Sequence, residues 1–342
     1  MREKVPDHLR AAAMLAVIAL HVSSTYINAE SSIRLFGMNA AMYVNQAARF
    51  AVPLFVLLSG MSFGMFEAGK GPVKFFGSRA VKILVPYLVW CAVYFLYASP
   101  PPDVGWLKAF LNGISSGSFA SHMYFVPLIV QLYILAYPLR YLIEKRPGMV
   151  LILCFAVSFC VQELLMLTCF GTELLGSGWF RWNVWRLFPT WLFYFAAGMY
   201  ITRERLARIA RAASDNLPWL LILWLISAVL LTLDSRATGS VDLSIKPLIM
   251  IYTVIVFAAL CGIAQKAGNL RAVQRIARTL SGLSYDVYLS HVLFLMLLRR
   301  LGGVFKGTSG MLLLFIAVTA CSLVYAALKR LFRKVITNKG DG

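Results

Sequence analysis

The sequence predicts an all-α polytopic integral membrane protein of about ten transmembrane helices, and three observations carry that expectation. Its 342 residues are 60% hydrophobic and 14% charged, against about 45–50% apolar and about 25% charged in soluble domains. Apolar runs of about 20 residues, the length that crosses a bilayer, recur along the chain. The third observation is the placement of its 33 Lys and Arg, 23 of which fall at the ends or in alternate connections. That bias puts both the N- and C-terminal ends on the cytoplasmic side. A formal charge of +19 invites a nucleic-acid reading. The cations sit between membrane runs rather than in a basic domain with interleaved aromatics, so nucleic acid is excluded as a partner and the lipid bilayer is the expected surface.

The runs fall near 11–30, 44–66, 81–99, 123–143, 149–168, 187–202, 217–234, 245–264, 282–300 and 310–328. The first follows "MREK" and imitates a signal peptide, but His21 interrupts it and Ile27 spoils the "INA" cleavage site, so it is expected to be the first span. The sixth is short and extends back through "WNVWRLF" if it is to cross. Outside the membrane, "SPPPDVGWLKAFLNGISSGSFASH" carries one amphipathic piece, "WLKAFL", suited to the interface. "CFGTELLGSGWFRWNVW" reads as an interfacial aromatic belt or as a sugar-stacking surface. With no repeat or linker, residues 1–342 are expected to form a single membrane domain with no separate soluble part. The six cysteines lie in apolar stretches without metal-ligand spacing; they read as small buried residues, and no metal is expected.

Ionisable groups inside such spans are costly and mark function by default. In "HLRAAAMLAVIALH" (8–21), Arg10 and His21 stand eleven residues apart, three helical turns and about 16 Å, so both point the same way. One would mark the cytoplasmic mouth of an internal cavity, the other its centre. The second span, "NQAARFAVPLFVLLSGMSFG", places Arg49 in its outer part and Pro53 where it opens the helix; Gly60 and Gly64 form a small-xxx-small packing face. Glu163 in "VQELL" is a counter-ion for Arg49, Arg181 or Arg186, or an acceptor contact. In "SGLSYDVYLSH" (281–291), Ser284, Tyr288 and His291 form one polar stripe, with Tyr285 and Asp286 facing elsewhere. "KFFGSRAVKILVP" puts Lys74, Arg79 and Lys82 at the inner membrane face, where lipid headgroups or a phosphate-bearing donor would meet them.

These residues carry a resemblance. The Arg-x(10)-His pattern, the Ser-Gly segment "VPLFVLLSGMSFG", the basic stretch "FFGSRAVKILVPY", the histidine segment "SHMYFVPLIVQLYILAYP" and the late helix "LSGLSYDVYLSH" occur in the order found in family-3 membrane acyltransferases, bacterial proteins that acylate cell-surface glycans. The likeness covers nearly the whole chain and is nearest to the single-domain branch. Lys82 stands where arginine is usual, Met123-Tyr124 replace the usual aromatic pattern, and Asp286 takes a position often held by glycine. The resemblance implies transfer of an acyl group, acetyl by expectation, from cytoplasmic acetyl-CoA to a hydroxyl of an extracytoplasmic glycan, in the bacterial cytoplasmic membrane.

On that basis Arg10, Lys74, Arg79 and Lys82 are expected to hold the acyl-CoA donor. His21, Arg10, Tyr288 and His291 are expected at the catalytic centre, and Arg49, His122 and Glu163 at the acceptor. Imidazole suits His21 as general base or transient acyl carrier, and Tyr288, Ser59 or Arg49 could stabilise the oxyanion. Two other classes remain open from the residues alone. A flippase or exporter of lipid-linked sugar would use the same buried ionisable groups, though without the internal repeat common in such proteins. A membrane scaffold would leave the Arg10–His21 alignment unexplained.

Overall fold

The structure is a computed structural model that describes residues 4–28, 34–35, 38–67, 69, 71–98, 105–169, 183–239, 241, 245–268 and 270–338. Helix α1 (Lys4–Ser24) begins earlier than its apolar run, because Pro6 sits in its first turn and Asp7 is buried there, accepting the Ser281 hydroxyl at 2.7 Å. A two-residue ladder pairs Arg34–Leu35 with Met38–Asn39. The second crossing follows as α2 (Ala40–Ala47), capped by the Asn39 side chain accepting from the Met42 amide, and α3 (Ala51–Ser62), which ends in a π turn, Phe63–Glu67. The break between α2 and α3 falls just before Pro53, whose missing N–H cannot continue the ladder. The third crossing is α4 (Pro72–Arg79), a second π turn (Ala80–Leu84) and α5 (Val85–Ala98).

The amphipathic α6 (Trp106–Ser116) exposes Trp106, Leu107 and Leu111, as an interfacial helix does. The fourth crossing is not one helix. It consists of α7 (Phe125–Ile134) and α8 (Ala136–Lys145), bent by 54° at Leu135, with Pro138 in the first turn of α8. Helix α9 (Pro147–Cys169) turns an apolar face that includes Ile152, Leu153 and Val157 outward, as a lipid-facing span must.

The expected sixth span also differs. Turns of 3-10 helix at Val184–Arg186 and Phe188–Trp191 lead into α10 (Leu192–Tyr200), nine residues long. Irregular backbone at membrane depth survives only where protein covers it, and here Thr190, Trp191, Phe195 and Ala196 are fully buried between α3 and α9. Gly198 meets Leu57 and Gly60 meets Phe195 at backbone contact distance, so the glycines let α3 and α10 touch.

The amphipathic α11 (Arg203–Asp215) buries Leu206, Ala210 and Ala213 and exposes Arg203, Arg208 and Arg211. Three long helices complete the chain after α12 (Leu217–Ala237): α13 (Pro247–Ala267), α14 (Arg271–Arg299) and α15 (Gly307–Asn338). Among the described residues eight helices are long and apolar enough to cross a membrane, and the bent α7–α8 pair makes a ninth.

Helix α1 is central, packed on α2, α3, α13, α14 and α15. It runs parallel to α14: Lys4 donates to the Gly268 carbonyl (3.1 Å), Asp7 accepts from Ser281, and His21 lies beside His291. Parallel neighbours require an even number of crossings from the start of one to the start of the other. That number is eight only if the broken segment 184–200 counts as a crossing. Helix α15 returns antiparallel, with Lys329 against Asp286 and Phe305 against Tyr26. The start of α1 and the end of α15 therefore share one face, with ten crossings between. Lys4 and Arg330 lie toward that face, beside Gly268 and Gly282, and the positive-inside rule would make it the cytoplasmic one.

The cysteines follow their helices. Cys91, Cys154 and Cys261 are buried, Cys321 is half-buried, and Cys160, expected inside, is exposed on α9; none of these five is in a disulfide.

Candidate functional site

A cavity of about 300 Å³ opens between α1, α3, the second π turn, α7 and α14. Three cations line it: Arg10 from α1, Arg79 at the end of α4, and Lys82 from the π turn. Ser59, Ser62 and Ser284 supply hydroxyls, and Phe125, Tyr133, Tyr285 and Tyr288 supply aromatic walls. The Arg79 guanidinium lies over the Phe75 and Tyr133 rings, 5.4 and 5.5 Å from their centroids, which fixes a planar cation by stacking. The Tyr285 hydroxyl donates to the Ile83 carbonyl (2.8 Å) and ties α14 to the π turn that carries Lys82. Lys74, expected beside them, is exposed on α4 and does not line the cavity.

Tyr288 lines this cavity, and its hydroxyl donates to the His122 carbonyl. Beyond it lie three histidines from three distant parts of the chain. The ring centroids are 5.1 Å apart for His21 and His291, 4.8 Å for His122 and His291, and 6.0 Å for His21 and His122. His291 is fully buried and His122 nearly so, at 3% exposure, whereas His21 is half-buried. His291 Nδ1 lies 2.7 Å from the Tyr288 carbonyl, an acceptor only, so Nδ1 carries the proton in the neutral ring. Exposed Ser121 places its hydroxyl 3.5 Å from His21 Nδ1. Among the described residues no group of three His, Cys, Asp or Glu could hold a metal ion.

Arg49 occupies the outer side of the cluster. It is buried, donating to Asn45 Oδ1 (2.7 Å) and the Val241 carbonyl (2.6 Å). Asn45 in turn donates to the Leu20 carbonyl (3.1 Å), which ties Arg49 to the turn of α1 that presents His21. The network continues through Gln46 and Ser235 to Lys246, 1% exposed, which pairs with Asp234 at 3.1 Å. Lys246 lies inside the eighth apolar run, where the sequence offered no signal for its role. Glu163 is half-buried on α9 and forms no ion pair with Arg49 or Arg186 among the described residues; Arg181 and most of the adjacent aromatic segment lie outside them. Asp286 acquires a partner in Lys329, at 2.5 Å on α15 and outside the cavity lining.

The structure thus joins Arg10, Arg79, Lys82 and Tyr288 around one cavity, and His21, His122 and His291 in one cluster behind it. It leaves Lys74 and Glu163 outside both. Sequence reasoning missed Tyr94, whose hydroxyl donates to the Leu289 carbonyl (3.0 Å), accepts from the Leu293 amide (3.1 Å) and backs the His122 ring. It also missed Ser121, adjacent to His122.

No curated protein and no solved structure matches the chain. A family model for the acyltransferase domain matches residues 4–327, from the first turn of α1 into α15, and so takes in the cavity, the histidines and the helices that position them. The chain belongs to the family 3 acyltransferases, membrane proteins that transfer acyl groups.

Proposed function

We propose that this acyltransferase moves an acetyl group from cytoplasmic acetyl-CoA to a hydroxyl of a cell-surface or lipid-linked glycan on the far side of the bacterial cytoplasmic membrane. One observation carries the reading: a cavity lined by three cations has Tyr288 in its wall, and Tyr288 packs against His122 and His291 of the histidine cluster. Arg10, Arg79 and Lys82 suit the CoA phosphates, two of them as planar forks and Lys82 as a point charge. A volume of about 300 Å³ is at the lower end for small-molecule sites; it suits the acyl-bearing arm, with the nucleotide left at the cations. The acceptor would approach by exposed Ser121 and Arg49. The short form "RFAVPLFVLLSG" resembles the branch that includes the enterobacterial common antigen O-acetyltransferase, which favours a glycan acceptor.

His21 is the histidine that suits a general base, because it alone of the three retains surface exposure and faces Ser121. It takes the acceptor's proton as the hydroxyl oxygen attacks the thioester carbonyl, and returns a proton to the departing CoA thiolate. General-base catalysis of this kind contributes about 100–10,000-fold. The test is acetyl-CoA binding and slow thioester hydrolysis by the purified protein in nanodiscs. His21→Ala should bind acetyl-CoA and lose hydrolysis; Arg10→Ala should bind poorly. Folded wild type that binds no acyl-CoA of any chain length would remove the donor from this reading and turn attention to transport.

A further inference from the structure

The three histidines are not in equivalent hydrogen-bonding states. His291 commits its N–H to the Tyr288 carbonyl, leaving Nε2 as a bare acceptor without a protein partner. His21 has the Ser121 hydroxyl at Nδ1. His122 has a partner at neither ring nitrogen, although both are buried. A neutral imidazole always carries one N–H, and leaving such a donor buried and unmet forfeits its solvation. The Leu289 carbonyl is the backbone acceptor turned toward this ring, but it already accepts the Tyr94 hydroxyl at 3.0 Å, and no protein atom meets hydrogen-bond geometry at either ring nitrogen.

The ring is nonetheless held firmly. Its own backbone carbonyl accepts from Tyr288, and the Tyr94, Tyr288 and His291 rings pack on it at 5.6, 5.1 and 4.8 Å. A held, buried N–H in ring contact with the base is an arrangement that stabilises charge developing on a carbonyl oxygen.

Resting on the acyl-transfer reading above, we propose that His122 is a catalytic residue that donates its ring N–H to the oxyanion of the transfer step. The acceptor oxygen forms a bond to the thioester carbon and its proton passes to His21. The carbonyl π pair moves onto oxygen and is held by His122. Collapse restores the carbonyl, breaks the carbon–sulfur bond, and the thiolate leaves with that electron pair and the His21 proton. His122 neither gains nor loses a proton in the cycle, unlike His21. This differs from a place at the acceptor, the role its outer position in the sequence suggested.

The experiment compares wild type, His122→Leu and His122→Gln in nanodiscs, with acetyl-CoA as donor and water as the probe acceptor. It reads kcat, KM, direct acetyl-CoA binding and the pH profile. His122→Leu should lose about 100–1,000-fold in kcat with binding and KM retained, and His122→Gln, which keeps an N–H donor, should recover part of the loss with the pH profile unmoved. If the leucine variant does not fold, His122→Phe supplies a ring without a donor. Undiminished kcat in the folded leucine or phenylalanine variant overturns the proposal, as does a glutamine variant no better than leucine. A displaced pH profile in the glutamine variant assigns His122 to proton transfer instead, and also overturns it. Wild type that cleaves no acyl-CoA overturns the transfer reading and this inference together; active wild type with indifferent variants overturns this inference alone.

Discussion

The contact between α3 and α10 converts a single methyl group into a test of how packing sets the site. A Cβ at Gly198 would lie 2.0 Å from the Leu57 carbonyl oxygen and 2.9 Å from the Met61 nitrogen, all backbone, whereas ordinary contact begins at 3.4 Å. Gly198→Ala must therefore push the helices apart by about 1.4 Å, because close-packed backbone has no side-chain rotamer through which to yield. Two terms compete. Alanine is favoured over glycine in a helix interior by about 1 kcal/mol, and overpacking costs about 1–3 kcal/mol or more. A backbone clash this deep belongs at the upper end, so destabilisation wins, and melting falls by on the order of 2 °C per kcal/mol.

Function should suffer beyond stability, since α3 brings Phe55, Ser59 and Ser62 to the cavity, and a displacement of about 1 Å can cost about 100-fold in rate. The series ranks itself: Gly60→Ala at 2.1 Å from the Phe195 oxygen should match Gly198→Ala, Gly64→Ala at 2.8 Å from the Met199 oxygen should be milder, and Gly282→Ala, which meets only the Arg330 side chain at 3.5 Å, should be neutral or stabilising. Thermal loss of monodispersity in detergent and acetyl-CoA hydrolysis in nanodiscs measure the two effects. Gly198→Ala melting at or above wild type would refute the reasoning.

Two further expectations concern charge. Arg79→Ala and Lys82→Ala should each weaken acetyl-CoA binding by about tenfold, the 1.4 kcal/mol scale of a charge-assisted contact, while Lys74→Ala leaves it unchanged; calorimetric titration separates them, and equal loss at Lys74 would contradict the cavity assignment. Asp286→Asn should leave hydrolysis near the wild-type rate, because its partner Lys329 is outside the cavity and such partly exposed pairs contribute about 0–1 kcal/mol; a large fall in kcat with intact folding would place Asp286 in the chemistry.

Most spans were legible because burial in lipid demands long apolar runs, and the Arg10–His21 and Ser284–Tyr288–His291 alignments were legible because helical periodicity is local. The broken crossing at 184–200 was not. Its backbone is shielded by α3 and α9, so no uninterrupted apolar run was needed to hold it at membrane depth. The bend at Leu135 had a visible cause in Pro138, but whether proline kinks or ends a span depends on what packs against it. Lys246 was hidden for another reason: its solvation comes from Ser235 and Asp234, on a different helix. The meeting of His21, His122 and His291 depends on how α1, α14 and the turn before α7 are brought together, which no single segment encodes. Lys74 is the converse case, since proximity in sequence to Arg79 did not place it in the lining of the same cavity.

Under the proposed function the donor and acceptor stand on opposite faces of a bilayer, and the acyl group would have to pass without conduction of ions. Each elementary charge that crosses carries about 2.3 kcal/mol per 100 mV, and imidazoles reachable from both faces would drain that potential by handing protons along. Tyr288 both lines the cavity and packs against His122 and His291. Its hydroxyl is fastened to the His122 carbonyl, and its own carbonyl is fastened to the His291 N–H. Neither bond offers a proton to a ring nitrogen of the next histidine. On the proposed reading, the residue shared by the cavity wall and the histidine packing thus offers no hydroxyl proton to either buried imidazole.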